Sequence, residues 1–275
     1  MQIPLEIIIK LGVVLLLAII SYLNNMIDQM GTLAAIFIGF SVILGGGWSW
    51  FITLLIFFVV STQFTKFKYN YKKEIGCAEG NGGRRGWKNI IANGGVAAIA
   101  AFMEGIPIGN EFERVIYAIA FIGAISTATA DTLATEIGLI SKSSPRLITN
   151  LKKKVTPGIS GGVTLLGIFA SISGALIIGF AAALLNVANV PMIKIIAISI
   201  ISGFIGSIID SILGATIQEL YKCSICGVIT ENYQHHNTKA IHIKGFHLIN
   251  NHVINFIATS AGALIAISLF FIFNA

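Results

Sequence analysis

Charge is what this chain has least of. Asp, Glu, Lys and Arg make up 11% of its 275 residues, and only 12 are acidic. A soluble domain carries about 25%. The deficit excludes an ordinary soluble fold, and the excess agrees: 55% of residues are hydrophobic and the mean hydropathy is +0.86. Cysteine is nearly absent. The three present, Cys77, Cys223 and Cys226, fall in segments expected to face the cytoplasm, where structural disulfides do not persist. No GxxxxGK[ST] run exists, so a Walker A phosphate loop is excluded. No basic helix or aromatic-rich soluble segment is present to read nucleic acid, and no internal repeat is visible.

Long apolar runs take the place of charge. Spanning segments are predicted over 4–23, 31–46, 48–64, 89–103, 113–131, 161–185, 192–215 and 252–273, each near the roughly 20 residues that cross a bilayer. The expected fold class is an all-α polytopic membrane protein of seven or eight transmembrane helices with short cytoplasmic loops. It forms a single integral membrane domain over 1–275, with a cytoplasmic loop over 216–250. The first run has the apolar core of a signal peptide, but no small-residue cleavage site follows it, and it reads as a retained helix. The GGGW run at 45–48 separates the second and third segments weakly, which leaves a tight hairpin or a re-entrant pair. The fourth segment is short for a span. Fifteen of the 18 Lys and Arg residues lie in 66–88, 142–154 and 222–244. Alternating eight spans places all three on one face, which the positive-inside tendency makes cytoplasmic in a cell membrane. Both termini then lie outside.

Against this apolar background, polar residues at membrane depth are costly and usually functional. The run STATADTLATEIG (126–138) ends the fifth segment with Asp131 and Glu136. Thr127, Asp131 and Thr135 are four apart and share a helical face. Aligned carboxylates and hydroxyls suit Mg²⁺ with bound phosphate. A proton or cation pathway and a structural, hydroxyl-capped Asp are the alternatives. A similar layout occurs in GFIGSIIDSILGATIQ (203–218), where Ser207, Asp210, Ser211 and Gly214 form a polar stripe and glycines permit close approach.

Four loop clusters accompany these. In KKEIGCAEGNGGRRGWKN (72–89), Asn81-Gly82-Gly83 is a turn whose amides can form an anion nest. Arg84 and Arg85 can grip phosphate bidentately, with Lys72, Lys73 and Lys88 adding field. A positive-inside loop is the bland reading. In KKKVTPGISGGVT (152–164), Ser160, Gly161 and Gly162 precede a predicted helix and can offer its N-terminal amides to an anion; a plain basic loop fits too. In YKCSICGVITENYQHH (221–236), Cys223 and Cys226 with His235 and His236 have the composition of a small zinc knuckle. Adjacent histidines are awkward as ligands of one ion, and His242 is another candidate. Free thiols and a redox CxxC are the alternatives. In NNHVINFIATS (250–260), Asn251 and Asn255 share a face at the start of the last helix. All these clusters map to the cytoplasmic helix ends. A transporter more often gathers its polar groups near the midplane, so the placement favours a membrane enzyme.

The pieces AEGNGGRRGWKN (78–89), GAISTATADTLATEIG (123–138), TPGISGGVT (156–164) and GSIIDSILGATIQ (206–218) together resemble domain-of-unknown-function family 92, the transmembrane protein 19 family, over nearly the whole chain. Its plant and cyanobacterial members include phytyl-phosphate kinase. The resemblance implies a kinase that converts a prenyl monophosphate, of phytyl or geranylgeranyl type, to the diphosphate with CTP as donor. It carries the family signatures onto Gly82, Gly83, Arg84 and Arg85; onto Asp131, Thr132, Glu136 and Gly138; onto Pro157, Gly158, Ser160, Gly161 and Gly162; onto Gly206, Ser207, Asp210, Ser211 and Gly214; and onto Asn251 and Asn255. Asp131, Glu136 and Asp210 would hold Mg²⁺, while Arg84, Arg85 and Lys73 would neutralise phosphates. Relatives often have an acid at position 250; Asn250 here argues against a metal ligand at that position. The implied partners are prenyl monophosphate, nucleotide and membrane lipids. Zn²⁺ in the Cys-His loop, a homo-oligomer, another CTP-dependent lipid enzyme (a cytidylyltransferase or a prenol kinase) and a transporter using Asp131 and Asp210 stay open.

Overall fold

A computed structural model describes residues 4–106, 110–231 and 233–274, without the side chains of Asn81 and His235. Its helices are α1 (Leu5–Leu23), α2 (Gln29–Gly45), α3 (Gly47–Lys66), α4 (Tyr69–Glu74), α5 (Gly80–Gly83), α6 (Trp87–Gly105), α7 (Glu111–Gly138), α8 (Leu165–Leu184), α9 (Met192–Thr216) and α10 (Asn251–Asn274). Eight of these coincide with the eight predicted spans. Six are long and apolar enough to cross a membrane, and α2 is a shorter apolar helix. Large apolar side chains such as Leu16, Phe37, Phe169, Leu184 and Leu264 are exposed on their outer faces. In water such a surface would aggregate; in lipid it is the required exterior, because helices satisfy their backbone polar groups internally. This is a multi-pass integral membrane protein.

The α2–α3 junction is a tight hairpin with Gly46 alone between the helices. A Cβ on Gly45 would lie 1.9 Å from the Ala101 carbonyl oxygen, so only glycine lets α6 cross there. The fourth predicted span is an unbroken helix despite its asparagines, because it is covered by neighbours: Asn93 is buried and donates to the Asn89 carbonyl at 2.9 Å.

Helix α7 is the axis of the bundle. Every residue from Ala118 to Ala130 is buried, and α6, α8, α9 and α10 surround it. A helix buried all round needs small or self-satisfied side chains on its neighbours. Gly203 and Gly206 of α9 sit on Ser126 and Thr127, Gly174 of α8 on Thr129, and Gly262 of α10 on Thr127. Three buried hydroxyls along this axis are paired. Ser126 and Ser199 share a hydrogen bond at 2.6 Å, Ser199 donates to the Ala175 carbonyl at 2.7 Å, and Thr129 donates to the Ile125 carbonyl at 2.7 Å. The predicted end of this helix at 131 is corrected to 138. Falling hydropathy marked the expected end, but backbone hydrogen bonds continue through the polar residues.

The connections after α1, α3, α7 and α9 meet at one end of the bundle. There Lys66 donates to the Asn24 carbonyl at 3.0 Å, Ile27 pairs with Arg85 in a parallel bridge, and Cys77 reaches the Pro157 carbonyl at 3.2 Å. The longer connections contain short strands: β1 (Arg146–Leu147), β2 (Asn150–Lys154) and β3 (Gly162–Val163), then β4 (Leu220–Lys222), β5 (Ile229–Thr230), β6 (Gln234–His235), β7 (Thr238–Lys239) and β8 (Ile241–Lys244). They form sheets in the orders β2-β1-β3 and β5-β4-β8, with β6-β7 a separate hairpin. All three basic segments lie at this end.

Candidate active site

The loop end of the bundle gathers the predicted carboxylates into two groups. In the first, Asp131 of α7 faces Ser207 of α9, whose hydroxyl lies at 3.5 Å. Asp210, one turn further along α9, receives the amide nitrogen of Asn255 at 3.0 Å when that amide is oriented to satisfy both of its ends; the same nitrogen also donates to the Asn251 carbonyl at 2.9 Å. Asp210 lies within the fields of Asp131 and of Glu231. Glu231 follows β5 and accepts a hydrogen bond from the Ser160 hydroxyl. Burial pushes the Glu231 carboxyl up, against the opposing pull of the Ser160 hydroxyl.

The second group centres on Glu136. Five residues separate it from Asp131, about 140° around an α-helix, so the two point to different sides of α7. Glu136 pairs with Lys72 at 2.5 Å. Lys72 is fully buried and also donates to the Phe64 carbonyl at 2.7 Å. It thereby caps the C-terminal end of α3, where carbonyls lack helical partners and favour a cation. Lys73 points outward from α4 and is exposed. The lysine at the site is therefore Lys72, because one residue on a helix is a rotation of about 100°.

Among the described residues the ion pairs are Lys10–Glu6 and Lys72–Glu136. Asp131, Asp210 and Glu231 thus form a half-buried acidic group with no cationic side chain paired to them. Carboxylate oxygens are the donors that a hard divalent cation such as Mg²⁺ takes, although the oxygens of these three do not converge within 4.8 Å of one another in this structure. Glu136 already has a counter-charge.

Arg84 and Arg85 part company. Arg84 continues from α5 in an extended conformation, and Arg85 pairs with Ile27, so successive side chains leave on opposite sides. Arg84 lines a polar cleft with Asp28, Glu79, Trp87, Lys88 and His252. Arg85 is buried, stacks over Phe57 at 5.8 Å, and lines an apolar cleft of about 90 Å³ among α1, α2, α3 and α6. The fields of Glu79 and Glu136 reach its guanidinium, and burial lowers its pKa from the ordinary value. Gly82 and Gly83 both have positive φ, 72° and 79°; they supply the turn that delivers the two arginines.

The 156–162 segment differs from its predicted role. Helix α8 starts at Leu165 and is capped by Thr164, whose hydroxyl accepts from the Gly167 amide at 3.0 Å. Gly162 lies in β3, and its amide donates to the Ile159 carbonyl at 2.9 Å. That amide is spent and does not face an anion. Gly161 instead lets the loop press onto α9: a Cβ there would meet the Ser211 carbonyl at 2.7 Å. This loop seats Ser160 beside Glu231. Asn250 caps α10, accepting from the His252 amide at 3.0 Å.

Sequence reasoning missed Glu231, Lys72 as the buried lysine, and His252, whose Nδ1 is buried without a partner. The sequence signal for Lys72 was shared with Lys73, its neighbour before the same Gly-rich turn. Glu231 had none, because its placement depends on the path of a long connection. In the zinc candidate, Cys223, Cys226 and His236 come together, with donor atoms within 4.8 Å of one another. The His235 side chain lies outside the described residues.

The sequence profile described as "Integral membrane protein DUF92" matches residues 12–263. The chain belongs to this family. Among its relatives, Protein PGR of Arabidopsis thaliana is 28% identical over 260 residues, covering 88% of each chain. A membrane protein of Methanocaldococcus jannaschii is 26% identical over 270 residues, covering 98% of this DUF92 chain and 97% of its own. The chloroplastic Protein VTE6 of A. thaliana is 25% identical over 241 residues, covering 88% of this chain and 64% of its own. No solved structure matches.

Proposed function

We propose that this DUF92 protein is a CTP-dependent prenyl-phosphate kinase of the cell membrane. It transfers a phosphoryl group to a phytyl or geranylgeranyl-type monophosphate and forms the diphosphate at the cytoplasmic face. The observation that carries the proposal is the division of Arg84 and Arg85 between a polar and an apolar cleft. Such a pair suits one water-borne and one lipid-borne phosphate. Family resemblance supplies the substrate classes.

In this reading the prenyl chain lies in the apolar cleft, with its phosphate drawn to Arg85. The nucleotide enters the polar cleft beside Arg84 and Lys88. Asp131 and Asp210, with Glu231, would hold Mg²⁺, which when bound neutralises developing charge on the donor phosphates. Lys72 holds Glu136 in place and keeps its charge from adding to theirs. The acceptor phosphate is already ionised, so positioning and charge stabilisation do most of the work. Asp131 and Asp210 lie seven and six residues from the loop-side ends of their helices, roughly 10 Å at 1.5 Å per residue. That depth suits an enzyme at the interface better than a midplane transport site.

The test is turnover of purified protein in detergent with radiolabelled CTP, Mg²⁺ and a panel of prenyl monophosphates. Prenyl diphosphate and CDP are expected. D131N and D210N should each lose about 10²-fold or more in kcat, the scale of removing one preorganised charge-stabilising group, while eluting as folded protein. Full turnover in both variants rejects the metal assignment. Pyrophosphate as product would indicate nucleotidyl transfer, and use of a prenol in place of its phosphate would indicate a prenol kinase. Solute flux in sealed vesicles without nucleotide consumption would point to a transporter.

A further inference from the structure

The connection between α9 and α10 has more chain than core. Its strands are two to four residues long, and few of its side chains are buried. Units of this size usually need a staple to hold one conformation. We infer that a zinc ion bound by Cys223, Cys226 and His236 is that staple.

Three separate features converge on these residues. The first is the distance between donors. Their sulfur and nitrogen atoms lie within 4.8 Å of one another, and tetrahedral zinc, with bonds of about 2.3 Å to sulfur and 2.0–2.1 Å to nitrogen, sets ligand separations of roughly 3.6–3.8 Å. A small contraction closes the site. The second is the shape of the Cys223–Gly227 turn. The Ile225 amide points at the Cys223 sulfur at 3.4 Å, the Gly227 amide closes the turn on the Cys223 carbonyl at 3.0 Å, and Gly227 takes φ 71°. An amide directed at sulfur is a poor use of a donor for a neutral thiol and a good one for a metal-bound thiolate, whose charge it shares. The third is the backbone at His236. It occupies the β6–β7 turn with φ 53°, followed by Asn237 at φ 58°. Two-residue hairpin turns of this kind favour Asn-Gly or Asp-Gly. Histidine and asparagine are among the side chains that tolerate the left-handed region, so this turn can hold the His236 ring toward the two sulfurs.

The ion would close the β4–β5 connection and tie it to the β6–β7 hairpin. Between these two lies Glu231, the carboxylate that Ser160 holds beside Asp210. Zinc here would therefore fix the segment that completes the acidic group. Binding would displace the two thiol protons to solvent.

The experiment uses the full chain purified in detergent without a metal-affinity tag. Elemental analysis should give one zinc per chain. After chelation, Co²⁺ titration of the wild-type protein should produce a thiolate-to-cobalt charge-transfer band with the intensity of two thiolates and a tetrahedral visible spectrum, both abolished by equimolar Zn²⁺. C223S, C226S and H236Q should each bring zinc below a tenth per chain, while C77S keeps it. Absence of the charge-transfer band in the wild-type chain overturns the inference whether or not the variants fold. So does full zinc occupancy in H236Q.

Discussion

At the scale of single residues, the Lys72–Glu136 pair carries the clearest consequence. Lys72 is buried, caps α3 and meets Glu136 at 2.5 Å. Removing one member of a buried pair strands the other, typically at about 3–5 kcal/mol, while replacing both with apolar residues is often neutral. K72M should therefore lower the thermal unfolding temperature sharply, and K72M/E136L should recover most of the loss. Tryptophan fluorescence during heating in detergent measures both. A double variant as unstable as the sum of the singles would mean that the pair is not coupled. The sequence made Lys72 and Lys73 look alike, as two neighbouring lysines in a basic loop. Only the pitch of α4 distinguishes the one turned inward from the one turned to water.

At the scale of elements, small residues let α9 and α10 approach α7. A Cβ on Gly206 would lie 2.4 Å from the Thr127 side chain, whereas one on Gly12 of α1 meets nothing within 4 Å. Gly206→Ala should destabilise by about 1–3 kcal/mol through overpacking. Gly12→Ala should be neutral or stabilising by up to about 1 kcal/mol, the helix-propensity gain. Equal melting temperatures for the two variants would remove the special standing of the α7 contact. Hydropathy alone located these elements well, since apolar length decides whether a segment can span lipid. It placed the end of α7 seven residues early and the start of α8 four residues early. In both places polar residues satisfy one another inside the protein or cap a helix, and a hydropathy window cannot register that. The short strands of 146–163 and 220–244 are likewise specified by contacts distant in sequence.

At the scale of the whole molecule, four connections and nearly all the basic residues share one end. If that end is cytoplasmic, a membrane-impermeant maleimide should modify Cys77 in inverted vesicles and leave it untouched in right-side-out cells. An Asn189→Cys variant, in the α8–α9 turn, should show the reverse. Peptide mass spectrometry reads which cysteine is modified. Burial pushes the Cys77 thiol up, so little thiolate exists at neutral pH, and its labelling should accelerate as the pH rises through that raised value. The same site labelled from both sides would undo the eight-span arrangement. The sequence indicated this common end through charge placement, and it indicated Asp131 and Asp210 through their cost in an apolar helix. It could not indicate Glu231, which arrives by way of a connection with little periodic pattern.

The junction of Arg84 and Arg85 has one further implication. Two spaces of opposite solvent character are served from consecutive Cα atoms, which a trans peptide holds about 3.8 Å apart. The side on which each guanidinium leaves the chain is therefore fixed by register alone. Inserting or deleting one residue before Arg84 would turn each guanidinium toward the other's compartment, leaving composition and net charge almost untouched while exchanging the water-facing cation for the lipid-facing one.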